Sequence, residues 1–270
     1  MAIITISRGT CSGGKELAEC IANHLGYKCV SREIIVEASQ KYGVSAEALA
    51  SSLEKAPRFF QRLKRERDRY LAIIRAALCE YALDNNLVYH GNAGHFLIAG
   101  PKHVIRIRVI ADMPFRIDAA MRRLGLNRDK AIKYINRVDK ERIRWTKFLY
   151  GVEWQNPQHY DAVLNLERIS IPGACAIVCR LAELDDFRWT EESQQALLNL
   201  TISSRVQAAL LSDDRTASSS LEVIADKGEV TIRGSVKLQE AADAISEVAG
   251  KVNGVTKVNC EVGLSAGILA

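Results

Sequence analysis

The sequence predicts an α/β protein: a parallel sheet flanked by helices, followed by a second, small α/β module. Three observations predict it. Apolar, β-branched runs alternate with segments of helical periodicity over the first two thirds of the chain, the order that builds a parallel sheet with helices on both faces. The first such run, "AIITIS", stops at a glycine-rich turn that opens directly into a helical pattern. Near Asp185 the periodicity gives way to the polar stretch "DDFRWTEESQQ", beyond which a new apolar spacing begins.

The elements follow in order. "AIITIS" reads as a buried parallel strand. After the turn, Leu17, Ala18, Ile21, Ala22 and Leu25 recur at helical spacing, and Gly26 stands where a helix C-terminal glycine belongs. A helical region is expected from about Arg32 to Asp84, broken near Gly43 and Pro57, with Leu63, Tyr70, Leu71, Ile74 and Leu78 as its apolar stripe. "NLVYHG" and "HVIRIRVIA" read as strands, and "PFRIDAAMRRL" opens a helix on Pro114, a residue suited to a first helical turn. "YDAVLNL" supplies a further strand and "PGACAIVCRLAEL" a closing helix. These assign residues 1–185 to the first domain, 186–199 to a linker and 200–265 to the second. The second contains a helix marked by Ile202, Val206, Ala209 and Leu210, then a hairpin, "LEVIADKGEVTIRG", that turns at Lys227–Gly228. An amphipathic helix (Leu238, Ala241, Ala242, Ile245, Val248, Ala249, Val252) and a last strand, "GVTKVNCEV", complete it. At about 65 residues it is near the size at which a single core becomes marginal.

With 270 residues, 48% hydrophobic and 26% charged, the composition excludes a disordered chain. The seven cysteines are odd in number and scattered without paired CxxC spacing, which disfavours zinc sites and a disulfide framework and fits a reducing cytoplasm. "MAIITIS" lacks the basic start and long apolar stretch of a signal peptide, and no run of about 18 apolar residues occurs, so a cytoplasmic protein is expected. The net charge of +5 is concentrated in "RFFQRLKRERDRY" and "RRLGLNRDKAIKYINRVDKERIRW". Two basic segments point to an anionic ligand: phosphate, nucleic acid or anionic lipid. Nucleic acid is disfavoured, because the apolar positions of Arg58–Arg75 fit a helix with one solvated face and stacking aromatics are few.

The turn reads Gly9-Thr10-Cys11-Ser12-Gly13-Gly14-Lys15-Glu16. Such a turn between strand and helix exposes backbone N–H groups at the positive end of the helix dipole, and a lysine at the position of Lys15 adds a point charge for phosphates. The alternative is a structural glycine turn. In phosphate loops the residue after the lysine is usually a hydroxyl that holds Mg²⁺; here it is Glu16, read as a first-turn acid, with a water-mediated contact to Mg²⁺ as the other option. Cys11 sits in an electropositive loop of the kind that lowers a thiol pKa; the alternative, and the commoner case for an isolated cysteine, is an inert thiol. His90, His95 and His103 show no metal-ligand spacing and read as loop or core histidines, and Cys175 and Cys179 as packing residues on one helix face.

The segment "IITISRGTCSGGKELAECIANHLGYKCVSREII" resembles the opening of the cytidylate kinase-like proteins, whose loops commonly read SGG followed by lysine or arginine. The resemblance continues through "VYHGNAGHFL", "VIRIRVIADMPFRIDAAM", "AIKYINRVDKERIRWTKFLYG" and "NPQHYDAVLNLERISI", covering roughly Ala2 to Leu184. It implies a P-loop NTPase fold of the nucleoside monophosphate kinase type, with a helical substrate-binding insertion, a closing lid, and ATP and Mg²⁺ as reactants. "RVDKERIRW" is similar to the lid: Arg137 and Arg142 would clamp the transferring phosphoryl group, and Asp139 would orient the lid or the acceptor. Arg32 and Asn92 fall on the substrate side. Two positions depart from the pattern: Ser31 stands where many relatives have aspartate, and Asn92 where they often have arginine, which bears on the acceptor.

"SSLEVIADKGEVTIRGSVKLQEAADAISEVAGKVNGVTKVNCEV" resembles a BON domain, over about Leu200 to Val262. That resemblance implies a regulatory, oligomerising, membrane-surface or protein-binding module. Two readings stand together: an ATP-dependent phosphotransferase resembling nucleoside monophosphate kinases, and a non-catalytic nucleotide sensor.

Overall fold

The computed structural model describes residues 2–31, 33–49, 62–91, 94–236 and 239–264. Strand β1 (Ile3–Arg8) leads through the glycine turn into α1 (Gly14–Leu25), then β2 (Lys28–Val30), α2 (Glu33–Tyr42), α3 (Arg62–Leu83), β3 (Leu87–His90) and the single turn α4 (Gly94–Leu97). β4 (Val104–Ile110), α5 (Met113–Leu124), the long α6 (Arg128–Tyr150), β5 (Ala162–Asn165) and α7 (Ile171–Leu181) follow. The five strands form one all-parallel sheet in the order β2-β3-β1-β4-β5, so β1 is central and its end is flanked by β3 and β4. A glycine turn leaving the middle of a parallel sheet sits at the C-terminal edge of the strands, where such sheets bind ligands.

Alternation along β1 divides the core. Ile4 and Ile6 pack with Leu17, Ile21, Ile107, Val178 and Cys179, and close the sheet against α1 and α7. Ile3 on the other side joins Ile34, Ile73, Leu78, Tyr89 and Trp145, beneath α2, α3 and α6. Both faces are covered, which is why the strands read as near-continuous apolar runs.

The expected helical region 32–84 is divided: α2 stops before Gly43, whose φ is +61°, the chain is helical again over 46–49, and α3 begins at Arg62. The break expected at Pro57 lies outside the described residues. In the stretch expected as a linker, 186–199, the chain is helical from Glu191, and α8 (Glu191–Ser212) runs unbroken into the C-terminal module. Thr190 and Ser193 form a reciprocal capping box at its start. Leu197 and Ala208 of this helix belong to the core over the sheet. Ile202, Val206 and Leu210 belong instead to the core of the module. Glu80 of α3 ties the layers, accepting from Arg205 Nε at 2.7 Å and from Lys41 Nζ at 2.5 Å.

In the C-terminal module β6 (Ser220–Asp226) and β7 (Glu229–Val236) form the expected hairpin; Lys227 and Gly228 both have positive φ, +48° and +89°, as a tight twisted hairpin turn requires. α9 (Gln239–Gly250) crosses over to β8 (Lys257–Leu264), which pairs parallel to β7. Among the described residues no helix is long and apolar enough to cross a membrane.

Candidate functional site

The turn after β1 is shaped for close approach to its own helix. Gly13, at φ +85°, precedes α1, and no side chain caps the helix start. The N–H groups of a helix's first turn have no intrahelical partner, so this end is open to an anion. A side chain at Gly14 is excluded: a Cβ there would lie 2.5 Å from Cδ and 2.8 Å from Cβ of Arg8. Cys11 holds φ +59°, a conformation that L-residues adopt at a cost. Ser12 turns its hydroxyl inward, donating to the Gly9 carbonyl at 2.9 Å.

The long helix α6 reaches the loop with one face. Asp139 accepts from the Thr10 N–H at 3.1 Å and from its hydroxyl at 2.7 Å, and is paired with Arg116. Arg142, one turn on, donates to the Arg8 carbonyl at 2.9 Å and to the Thr10 hydroxyl at 3.2 Å, and lies 3.8 Å from Asp139. Arg116 Nε donates to the Thr10 carbonyl at 2.8 Å. Asp139 and Arg142 thus meet the loop. Arg137 does not: two residues before Asp139, it is displaced by about 200° around the helix axis. It is exposed, with its guanidinium 5.9 Å from the Tyr134 ring centroid. The second guanidinium on the loop is Arg116, from α5. Its place carried one readable signal. A cation in the first turn of a helix opposes the dipole, so Arg116 needed another reason to stand there.

Lys15 does not turn back over the loop; its ammonium pairs with Glu19, 3.4 Å away on the next turn. Glu16 pairs with Arg123 of α5 at 3.2 Å, in keeping with a first-turn acid. Arg32 and Asn92, expected on the acceptor side, lie outside the described residues. Beside them, the Ser31 N–H donates to the Glu33 carboxylate at 2.7 Å, and the Gly91 position is closed by Tyr89, whose hydroxyl would sit 2.2 Å from a Cβ there.

The field at the loop is positive. Arg8 is largely enclosed; among the described residues its Nε has no hydrogen-bond partner, and one terminal nitrogen lies 3.5 Å from the Nδ1 of His90. Burial first, then the neighbouring Arg142 and Arg123 charges, hold the Arg8 pKa below its ordinary value. Burial, with Arg8 next, lowers His90 to about 4, so its imidazole is neutral. Of the two readings of Cys11, burial favours the inert one. Burial raises its thiol pKa and outweighs the opposing pull of Arg123, Arg116, Arg142 and Arg8, which leaves it a poor thiolate. His90, His95 and His103 are buried and distributed, and no cluster of three potential metal ligands occurs among the described residues. Cys175 and Cys179 pack in the core under α1.

Residues 3–168 match the model of the cytidylate kinase-like family, and residues 199–264 that of the BON domain. The chain is 27% identical over 180 residues to a cytidylate kinase of Pyrococcus horikoshii, covering 65% of this chain and 85% of that one. A cytidylate kinase of Methanopyrus kandleri is 26% identical over 177 residues, 62% of this chain and 86% of its own. Among solved structures, an uncharacterized protein from Eubacterium ventriosum superposes with a TM-score of 0.54 at 18% identity, over 67% of this chain and 98% of that one, a likeness of fold.

Proposed function

This chain belongs to the cytidylate kinase-like family, and on that premise we propose that it transfers the terminal phosphoryl group of ATP to a nucleoside monophosphate. The observation that carries the reading is the convergence of Arg8, Arg116, Arg123 and Arg142 around a turn whose helix start has no side-chain cap and beside which Arg8 Nε has no partner among the described residues. Such a site is built to take up negative charge. Phosphoryl transfer asks the protein mainly for positioning and charge neutralisation. The backbone from Gly9 to Gly14 would cradle the phosphates with Lys15, once released from Glu19, beside them. Arg142 and Arg116 would hold the charge that spreads over the transferring group, with Asp139 fixing both arginines against Thr10. Arg137 stands outside this clamp. Mg²⁺ enters with the nucleotide's phosphates, since Glu16, Glu19 and Asp139 are each paired to a cation of the chain. Arg32 and Asn92 remain the proposed acceptor contacts. Seven unpaired cysteines support a cytoplasmic setting.

A second reading, a nucleotide sensor, is favoured by α8, which contributes side chains to the cores of both units and would carry a change at one to the other. In that reading the BON module supplies the regulatory, self-associating or surface contact. One assay separates the two: ADP formation from ATP and Mg²⁺ across a panel of nucleoside monophosphates, with Lys15→Ala alongside. The kinase reading expects turnover with at least one acceptor, reduced at least 100-fold in the variant. Absence of turnover, with nucleotide-dependent thermal stabilisation that Lys15→Ala abolishes, establishes the sensor instead.

A further inference from the structure

A cavity of about 680 Å³ lies away from the phosphate loop, between α3, the C-terminal half of α8 and the segment that enters β6. Its volume falls within the range of small-molecule sites. Its walls come from both units: Asp68 and Arg75 from α3, Gln207 from α8, and Ser218, Ser219 and Ser220 from the start of the hairpin. Arg75 is half-buried. Its Nε donates to the Leu97 carbonyl at 3.1 Å, and its guanidinium has no ion-pair partner among the described residues. The side chains of Gln207, Ser218, Ser219 and Ser220 likewise make no hydrogen bond among the described residues. Asp68, also in the wall, is already engaged by another group.

A ligand that satisfies this wall carries an anionic group for Arg75 and hydroxyls for the serines and the glutamine. A planar guanidinium favours a phosphate by paired donation. Serine hydroxyls and a glutamine amide match a polyol body. We propose that this cavity binds a sugar phosphate, free or as the ribose phosphate of a nucleotide, and that the ligand bridges the P-loop unit and the C-terminal module. Its binding stabilises the seating of the module on α3, since both contribute contacts.

The test uses the full chain carrying Lys15→Ala, so that binding at the phosphate loop is impaired, and titrates ribose 5-phosphate calorimetrically, with ribose and inorganic phosphate as partial ligands. Saturable one-to-one binding is expected, at least tenfold tighter than either fragment and weakened at least tenfold by Arg75→Gln. Ser219→Phe, which fills the cavity from a half-exposed loop, is expected to abolish it even if Arg75→Gln is poorly folded. Tighter binding of cytidine 5′-monophosphate, equally sensitive to Ser219→Phe, would identify the nucleotide as the source of the sugar phosphate. Absence of saturable binding by both sugar phosphates, or binding indifferent to Arg75→Gln and Ser219→Phe, overturns the proposal. Neither result bears on catalysis at the loop, which the ADP assay reads separately.

Discussion

Replacing Asp139 by alanine tests whether α6 is fastened to the phosphate loop through this one carboxylate. Asp139 receives two hydrogen bonds from Thr10 and the guanidinium of Arg116, and the two ionic side chains are 18% and 12% exposed. A hydrogen bond to a charged group contributes about 1.5–3 kcal/mol. Breaking a fully buried pair costs about 3–5 kcal/mol. Partial exposure and the overlap of contacts that share one carboxylate bring the whole to about 3 kcal/mol. At about 2–4 °C per kcal/mol for a chain of this size, the melting temperature falls by about 6–12 °C. Thr10→Val removes the hydroxyl that donates to Asp139 and accepts from Arg142, and costs about 1.5–3 kcal/mol. In the double variant the share of that cost owed to Asp139 disappears, giving a coupling of about 1 kcal/mol. Calorimetric melts of the four proteins without nucleotide read all of this. A melting temperature within about 1 °C of the parent for Asp139→Ala, or strictly additive costs, would refute the fastening.

Three further outcomes follow from the same geometry. Burial holds His90 at about 4 and His95 at about 3, below the ordinary value of 6.5; both contribute stability that is complete above about pH 6.5 and is lost as pH falls toward 4. Melting temperature should therefore drop with acidification over that window, and His95→Phe, which removes a ring whose nitrogens have no partner among the described residues, should flatten the drop. Gly14→Ala drives a methyl into the Arg8 side chain; it should cost about 1–3 kcal/mol and weaken a nonhydrolysable ATP analogue at least tenfold, as equilibrium titration would show. Gly234 sits in β7 at φ +148°, and a Cβ there would lie 2.1 Å from the Ser220 carbonyl oxygen, so Gly234→Ala should cost about 1–3 kcal/mol and speed amide exchange first in the β6–β7 hairpin.

Much of the fold was legible because local chemistry and global position agree. The central strand of a doubly covered parallel sheet must be apolar on both faces, so "AIITIS" announces itself without knowledge of its neighbours. The hairpin turn was equally local, since Lys227–Gly228 supplies the two positive φ angles it needs. The polar opening of α8 has the sequence pattern of a linker because the helix's burial is divided between two partners, Leu197 and Ala208 against one core and Ile202, Val206 and Leu210 against another. A helix with two buried faces loses the single apolar stripe on which periodicity depends.

The sequence by itself determined the turn, the strand and helix that hold it, and that Asp139 and Arg142, three residues apart, share a helix face. It did not determine which way that face turns. Only the tertiary structure brought Arg116 onto Thr10, sent Arg137 away from the loop, and raised the Cys11 thiol through burial that outweighs four nearby arginines. The reason is physical: spacing fixes angles within one element, whereas distances between elements and the removal of water depend on how the elements pack.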